Sequence, residues 1–172
     1  GSGTTVELIQ PNGDLQGTGG VAWGSAPALC TIFSSLEGDQ PPGGAQKVDF
    51  GGKLVLELGS GTGAVGLWVA KHWPTSRVIL TDLAEAQSLL QENVRANGLS
   101  NCDVRELEWS LDGAAVPNLL AGLDDFFEEN VDDGVCRGRF VDAVIASDCV
   151  YSQHAELKWK PLASVISSAV CR

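Results

Sequence analysis

Glu57, Gly59, Ser60, Gly61 and Gly63 stand together behind an apolar run, Leu54 to Leu58, and their types and spacing suit the binding of a nucleotide-type cofactor. Glycines at every second position let a backbone turn sharply and offer bare N–H groups to a ligand at a helix start. Several chemistries use such a loop. Gly59-x-Gly61-x-x-Ala64 satisfies the dinucleotide fingerprint, and Asp82 lies at the distance expected of a carboxylate that binds ribose hydroxyls. Asp82 equally suits a helix N-cap, and the roles are compatible. Glu57 separates the cofactors. A carboxylate beside the loop would crowd a pyrophosphate, whereas it would attract the ammonium of a methionine-like amino acid. Its bland alternative is a strand-end carboxylate paired to a nearby cation.

The elements that must position these residues follow from hydrophobic period and turn signals. Lys53 to Leu58, Arg77 to Asp82, Cys102 to Trp109 and Phe140 to Ala146 read as strands. Helices are expected from about Ala26 to Leu36 with Ser25 as N-cap, from Gly63 to Trp73, from Leu83 to Asn97-Gly98, and from Leu157 to Val170 with Pro161 near its first turn. Ala28, Leu29, Ile32, Phe33 and Leu36 form the apolar face of the first helix. Thr5 to Gln10 alternates well enough for a further short strand. Strands alternating with helices give an α/β, Rossmann-like, doubly wound and mostly parallel sheet, with its ligand crevice at the carboxyl ends of the first and fourth core strands. That topology brings the glycine loop, Asp82, Trp109 and Asp148 to one cleft.

With 172 residues, 44% of them apolar, and a mean hydropathy of +0.06, the chain is expected to form a single domain over residues 4–172. Residues 4–52 would cover a cofactor-binding core, 53–172. Within that core, about 110–138 reads as an acidic, partly disordered insertion with a short helix around Leu119 to Glu129. No membrane span or signal peptide is legible. The net charge of -11 argues against nucleic acid and favours a basic partner. Cys30, Cys102, Cys136, Cys149 and Cys171 are scattered and odd in number, which speaks against a zinc site or a disulfide framework and for a reducing compartment, the cytoplasm with the nucleus as a second location. No metal is expected.

Glu57-x-Gly59-x-Gly61-x-Gly63 resembles motif I of the seven-β-strand S-adenosylmethionine-dependent methyltransferases. Val21-Ala22-Trp23, Leu107-Glu-Trp109 and Ser147-Asp148-Cys149-Val150-Tyr151 resemble the protein lysine methyltransferases marked by a D-x-x-Y motif (methyltransferase family 16 type). The resemblance implies S-adenosyl-L-methionine as cofactor and a lysine amine of a protein as methyl acceptor. It implies that Gly59, Ser60 and Gly61, in a loop completed by Gly63, hold the methionine end. Asp82 then holds the ribose, Trp109 and Ser147 the adenine side, and Trp23 closes over the cofactor. Asp148 would attract and orient the incoming ammonium while Tyr151 supplies a ring face and a hydroxyl. Cys149 and Val150 replace the paired prolines of loops that methylate adenine or glutamine amides, which lowers those readings. The family's C-terminal strands are not found in this sequence. Two rivals stay open: an NAD-dependent oxidoreductase and a non-catalytic methyltransferase-like interaction module.

Overall fold

The computed structural model describes residues 3–11, 18–112, 114–121, 141–150 and 155–170, with the backbone alone at 18 and 155–158. Its elements are α1 (Ser25–Ser35), β1 (Leu54–Leu58), α2 (Ala64–His72), β2 (Arg77–Asp82), α3 (Gln87–Ala96), β3 (Cys102–Glu106), α4 (Ala115–Ala121), β4 (Ala143–Ala146) and α5 (Ala155–Ala169). The described strands form one parallel sheet in the order β3-β2-β1-β4. The α/β class and the parallel sheet agree with the sequence reading. Strand order reverses between β1 and β4, and loops leaving the two neighbours there diverge to leave a crevice at their carboxyl ends.

A parallel strand covered on both faces is a continuous apolar run, and every residue of β1 is buried. Successive side chains alternate between faces. Leu54, Leu56 and Leu58 join Val116 and Leu120 of α4 and Leu162, Val165 and Ala169 of α5. Val55 joins Ala26 of α1, Val65 and Val69 of α2, and Leu90 of α3. Glu57 shares the parity of Val55, which sends a carboxylate into an otherwise apolar layer.

Several expectations need correcting. Thr5 to Gln10 is not a strand: its backbone is paired by side-chain amides of α3. Glu7 N–H donates to Asn97 Oδ1 (2.9 Å) and Asn97 Nδ2 to Glu7 O (2.7 Å), while Ile9 N–H donates to Asn93 Oδ1 (2.6 Å) and Asn93 Nδ2 to Ile9 O (3.2 Å). Asparagines one helical turn apart thus do what a neighbouring strand would do. Ser25 is not the cap of α1. Gly24 occupies that position, and the Ser25 hydroxyl lies 3.1 Å from that of Ser147. Ile32, expected on the buried face, is exposed. Pro161 lies inside α5 and not near its start. Part of the expected acidic insertion is well packed, since α4 buries Val116 and Leu120 and begins ahead of the helix expected around Leu119 to Glu129; the rest of the insertion from 122 to 138 lies outside the described residues. Among the described residues no helix is long and apolar enough to cross a membrane.

Candidate functional site

The loop between β1 and α2 is built by three glycines with positive φ, Gly59 (62°), Gly61 (54°) and Gly63 (79°). At these angles a side chain is strained, and the surroundings leave no room for one. A Cβ on Gly59 would stand 3.1 Å from Cys149 Sγ and 3.3 Å from Trp109 Cζ2, and one on Gly61 would stand 3.1 Å from Gly19 O. The close approaches show what the loop does. It draws together the exits of β3 and β4 and the segment before α1.

Hydrogen bonds fix the loop's course. Ser60 N–H donates to Thr81 O (2.9 Å), Thr81 N–H returns to Ser60 Oγ (3.0 Å), and Thr81 Oγ1 donates to Glu57 O (2.6 Å). Asp82 accepts from Gly61 N–H on Oδ2 (2.7 Å) and from Leu83 N–H on Oδ1 (2.8 Å). Charge-assisted bonds of this kind are roughly twice as strong as neutral ones. The N-cap alternative for Asp82 is not what the structure adopts: α3 begins after Ala86, and no side chain caps it.

These residues line a cavity of about 370 Å³. It gathers Trp23, Glu57, Gly59, Ser60, Gly61, Asp82, Trp109, Ser147 and Asp148, so every candidate of the sequence reading among the described residues, Gly63 excepted, is in its wall. Gly63 shapes the loop from behind, where its Cβ would meet Leu90 and Leu67 side chains. Tyr151 lies outside the described residues. Trp23 is 48% exposed at the rim. Asp148 is the non-glycine residue with positive φ (57°) among those described, a conformation that costs free energy and persists where the surroundings hold it. Cys149 helps to hold it, with its thiol donating to Leu58 O at 3.1 Å. Burial pushes that thiol up to about 12, so it stays protonated and unreactive.

Glu57 is 2% exposed, and its Oε2 accepts from Gly66 N–H at 3.1 Å. Burial raises its carboxyl to about 8 despite the hydrogen bonds from Ser60 and Gly66, with the nearby Asp82 adding to the rise. The cavity wall also holds Asp82, Glu85, Glu108 and Asp148, and among the described residues no Lys, Arg or His. An acidic, partly apolar cavity of this size suits a cation with an aromatic or apolar body and opposes a pyrophosphate. Among the described residues no cluster of His, Cys, Asp and Glu is placed to hold a metal ion.

Asn93 is the site's support that sequence reasoning missed. Fully buried, it donates from Nδ2 to Thr62 O in the glycine loop (2.9 Å) as well as pairing with Ile9. Its signal was a polar residue at the helical spacing of the apolar Ala86, Leu90 and Val94. Removing it strands a buried carbonyl and an N–H. Asn93→Ala is expected to lose roughly 3 kcal/mol in urea denaturation; a loss below about 1 kcal/mol would mean that the N-terminal segment finds other partners.

Comparison with known proteins adds the following. A family model described as lysine methyltransferase matches residues 4–120. EEF1A lysine methyltransferase 3 of Xenopus tropicalis is 39% identical over 117 residues, covering 67% of this chain and 47% of that protein. The Mus musculus protein of the same name is 34% identical over 132 residues, covering 74% and 52%. Protein-lysine N-methyltransferase EFM6 of Saccharomyces cerevisiae is 30% identical over 153 residues, covering 86% and 57%. The chain therefore spans about half the length of the curated relatives it matches.

Proposed function

The chain belongs to the lysine methyltransferase family, and from that premise we propose that it transfers a methyl group from S-adenosyl-L-methionine to a lysine side chain of a protein. The observation that carries this reading is the one cavity wall in which an alternating-glycine loop, Asp82, Trp109, Ser147 and Asp148 meet with no basic group among the described residues. The fit to the cofactor rests on that wall. Gly59 and Gly61 keep it open where a Cβ would collide, and its carboxylates match a ligand with ammonium and sulfonium charges. S-adenosylmethionine supplies an electrophilic methyl on a cationic sulfur, which leaves as a neutral thioether.

The protein's own residues bind, orient and exclude water. Gly59, Ser60 and Gly61 take the methionine end beside Glu57, and Asp82 takes the ribose. Trp109 and Ser147 flank the adenine, and Trp23 covers the mouth. In-line transfer requires an aligned, neutral amine more than a strong acid or base. Presenting a free lysine neutral at pH 7 costs about 4 to 5 kcal/mol. Asp148 at the cavity edge attracts and orients the charged lysine, and a water-poor site with a cation already bound favours loss of its proton. The substrate is taken to be a basic protein surface, since the chain carries -11. The cytoplasm, with the nucleus as a second location, is its proposed place. An oxidoreductase reading is weakened by the acidic wall, which repels the pyrophosphate of NAD.

The direct test incubates the protein with methyl-labelled S-adenosylmethionine and a cell extract, followed by mass spectrometry of lysines. Methyl-lysine on basic proteins is expected. Binding of NADH with no response to S-adenosylmethionine would sink the proposal. Asp148→Gly gives a sharper signature, because glycine relieves the positive φ. The variant should be roughly 0.5 kcal/mol more stable in urea while losing about 100-fold in transfer. Retained transfer would remove Asp148 from its role.

A further inference from the structure

Glu57 lies deepest among the acidic residues of the cavity wall. Its surroundings are unusual for a carboxylate. From α2 it receives the Gly66 N–H, and Ser60 of the loop is its other hydrogen-bonding neighbour. Among the described residues the titratable groups that face it are Asp82 at the end of β2, Cys30 of α1, Cys102 of β3 and Cys149 beyond β4, and none of them is cationic. Ionised carboxylates at this depth need a paired cation, and otherwise hold a proton.

We propose that the cavity takes up its cationic cofactor by exchange, with Glu57 releasing its carboxylic proton to solvent as the ligand's ammonium enters. The inference rests on the cofactor reading given above and adds to it a coupling to pH. The balance is simple. A neutral carboxylic acid and a cation become a carboxylate–cation pair, and the proton passes to buffer; no electrons move. Before binding, the deep end of the cavity carries no charge. After binding, the cation and the new carboxylate cancel, so no net charge is buried in either state. Direction of the carboxyl shift agrees with a protonated group at neutral pH. Linkage then requires affinity to rise as pH rises, by up to about tenfold per pH unit where one proton leaves per ligand bound.

Calorimetric titration with S-adenosylmethionine at pH 7, in phosphate and again in Tris, measures the protons released from the difference in heat. The expected result is release approaching one proton, and a Kd that falls roughly 3- to 10-fold between pH 6 and pH 7. Glu57→Gln keeps the side-chain shape and an acceptor for Gly66, and should bind with buffer-independent heat and a flat Kd over that range. Infrared difference spectra of the native protein provide a readout that needs no variant: a carboxylic-acid band should vanish on binding. Binding with equal heats in both buffers overturns the exchange alone, as does proton release that persists in Glu57→Gln. Failure of the native protein to bind overturns the cofactor reading, and the exchange with it.

Discussion

Cofactor-free protein is expected to lose stability as pH rises from about 4.5 to about 8, and Glu57→Gln to abolish that component of the slope. The sign follows from the folded state holding the Glu57 proton more tightly than the unfolded chain does. Its contribution is fully present below the ordinary carboxyl value of 4.5 and is lost as pH climbs through the raised value of about 8. At 1.36 kcal/mol per unit the difference has a ceiling of roughly 5 kcal/mol. Water entering the cavity lowers that figure by solvating the carboxylate. Even half of it is large against total stabilities of about 5–15 kcal/mol. Urea denaturation of the native protein and the Gln variant, at pH 5 and pH 8.5, isolates the effect from all other titrating groups. The variant should gain on the native protein by about 2–5 kcal/mol at the higher pH. Equal slopes would show that Glu57 is ionised in the empty cavity. A saturating cationic ligand should flatten the native profile, because it supplies the missing counter-charge.

The parts of the site legible in the sequence are those whose cause is local. β1, the glycine loop and β2 could be read because an apolar run, alternating glycines and a terminal carboxylate act within a few residues of one another. Doubly wound topology then carried Asp82, Trp109 and Asp148 to one cleft without any knowledge of side-chain contacts. What escaped depends on partners distant in the chain. Thr5 to Gln10 alternates like a strand, yet its partners are Asn93 and Asn97, more than 80 residues away, and nothing in the local pattern announces amides in place of a β ladder. Ser25 has the chemistry of an N-cap, but Ser147 competes for its hydroxyl. Glu57 was legible as a discriminating carboxylate, whereas the burial that raises its carboxyl was not, since that depends on how elements distant in the chain pack around it.

Gly66→Ala is expected to destabilise the fold although it replaces glycine by the best helix former. Gly66 sits in α2 with ordinary helical geometry, and on propensity alone alanine would gain about 1 kcal/mol. Space decides otherwise. A Cβ there would lie 2.2 Å from Leu80 Cδ2, 2.5 Å from Glu57 Oε2 and 3.2 Å from Val78 Cγ1. Leu80 and Val78 are fully buried in β2 against the same helix, so neither can swing into solvent, and α2 must lift from the sheet. Overpacking of this kind costs about 1–3 kcal/mol and more where backbone has to move. The net loss should be roughly 2 kcal/mol or greater, seen as a fall in Tm of about 4–8 °C. A second effect separates this substitution from ordinary crowding. Lifting α2 lengthens the bond from Gly66 N–H to Glu57, the backbone bond that favours the carboxylate form. Affinity for S-adenosylmethionine should therefore fall in Gly66→Ala, though by no more than loss of the carboxylate in Glu57→Gln produces, whereas a smaller facing side chain, Leu80→Val in the Gly66→Ala background, should restore part of both. Unchanged Tm in Gly66→Ala would show that the helix already stands far enough from β2 for a methyl group.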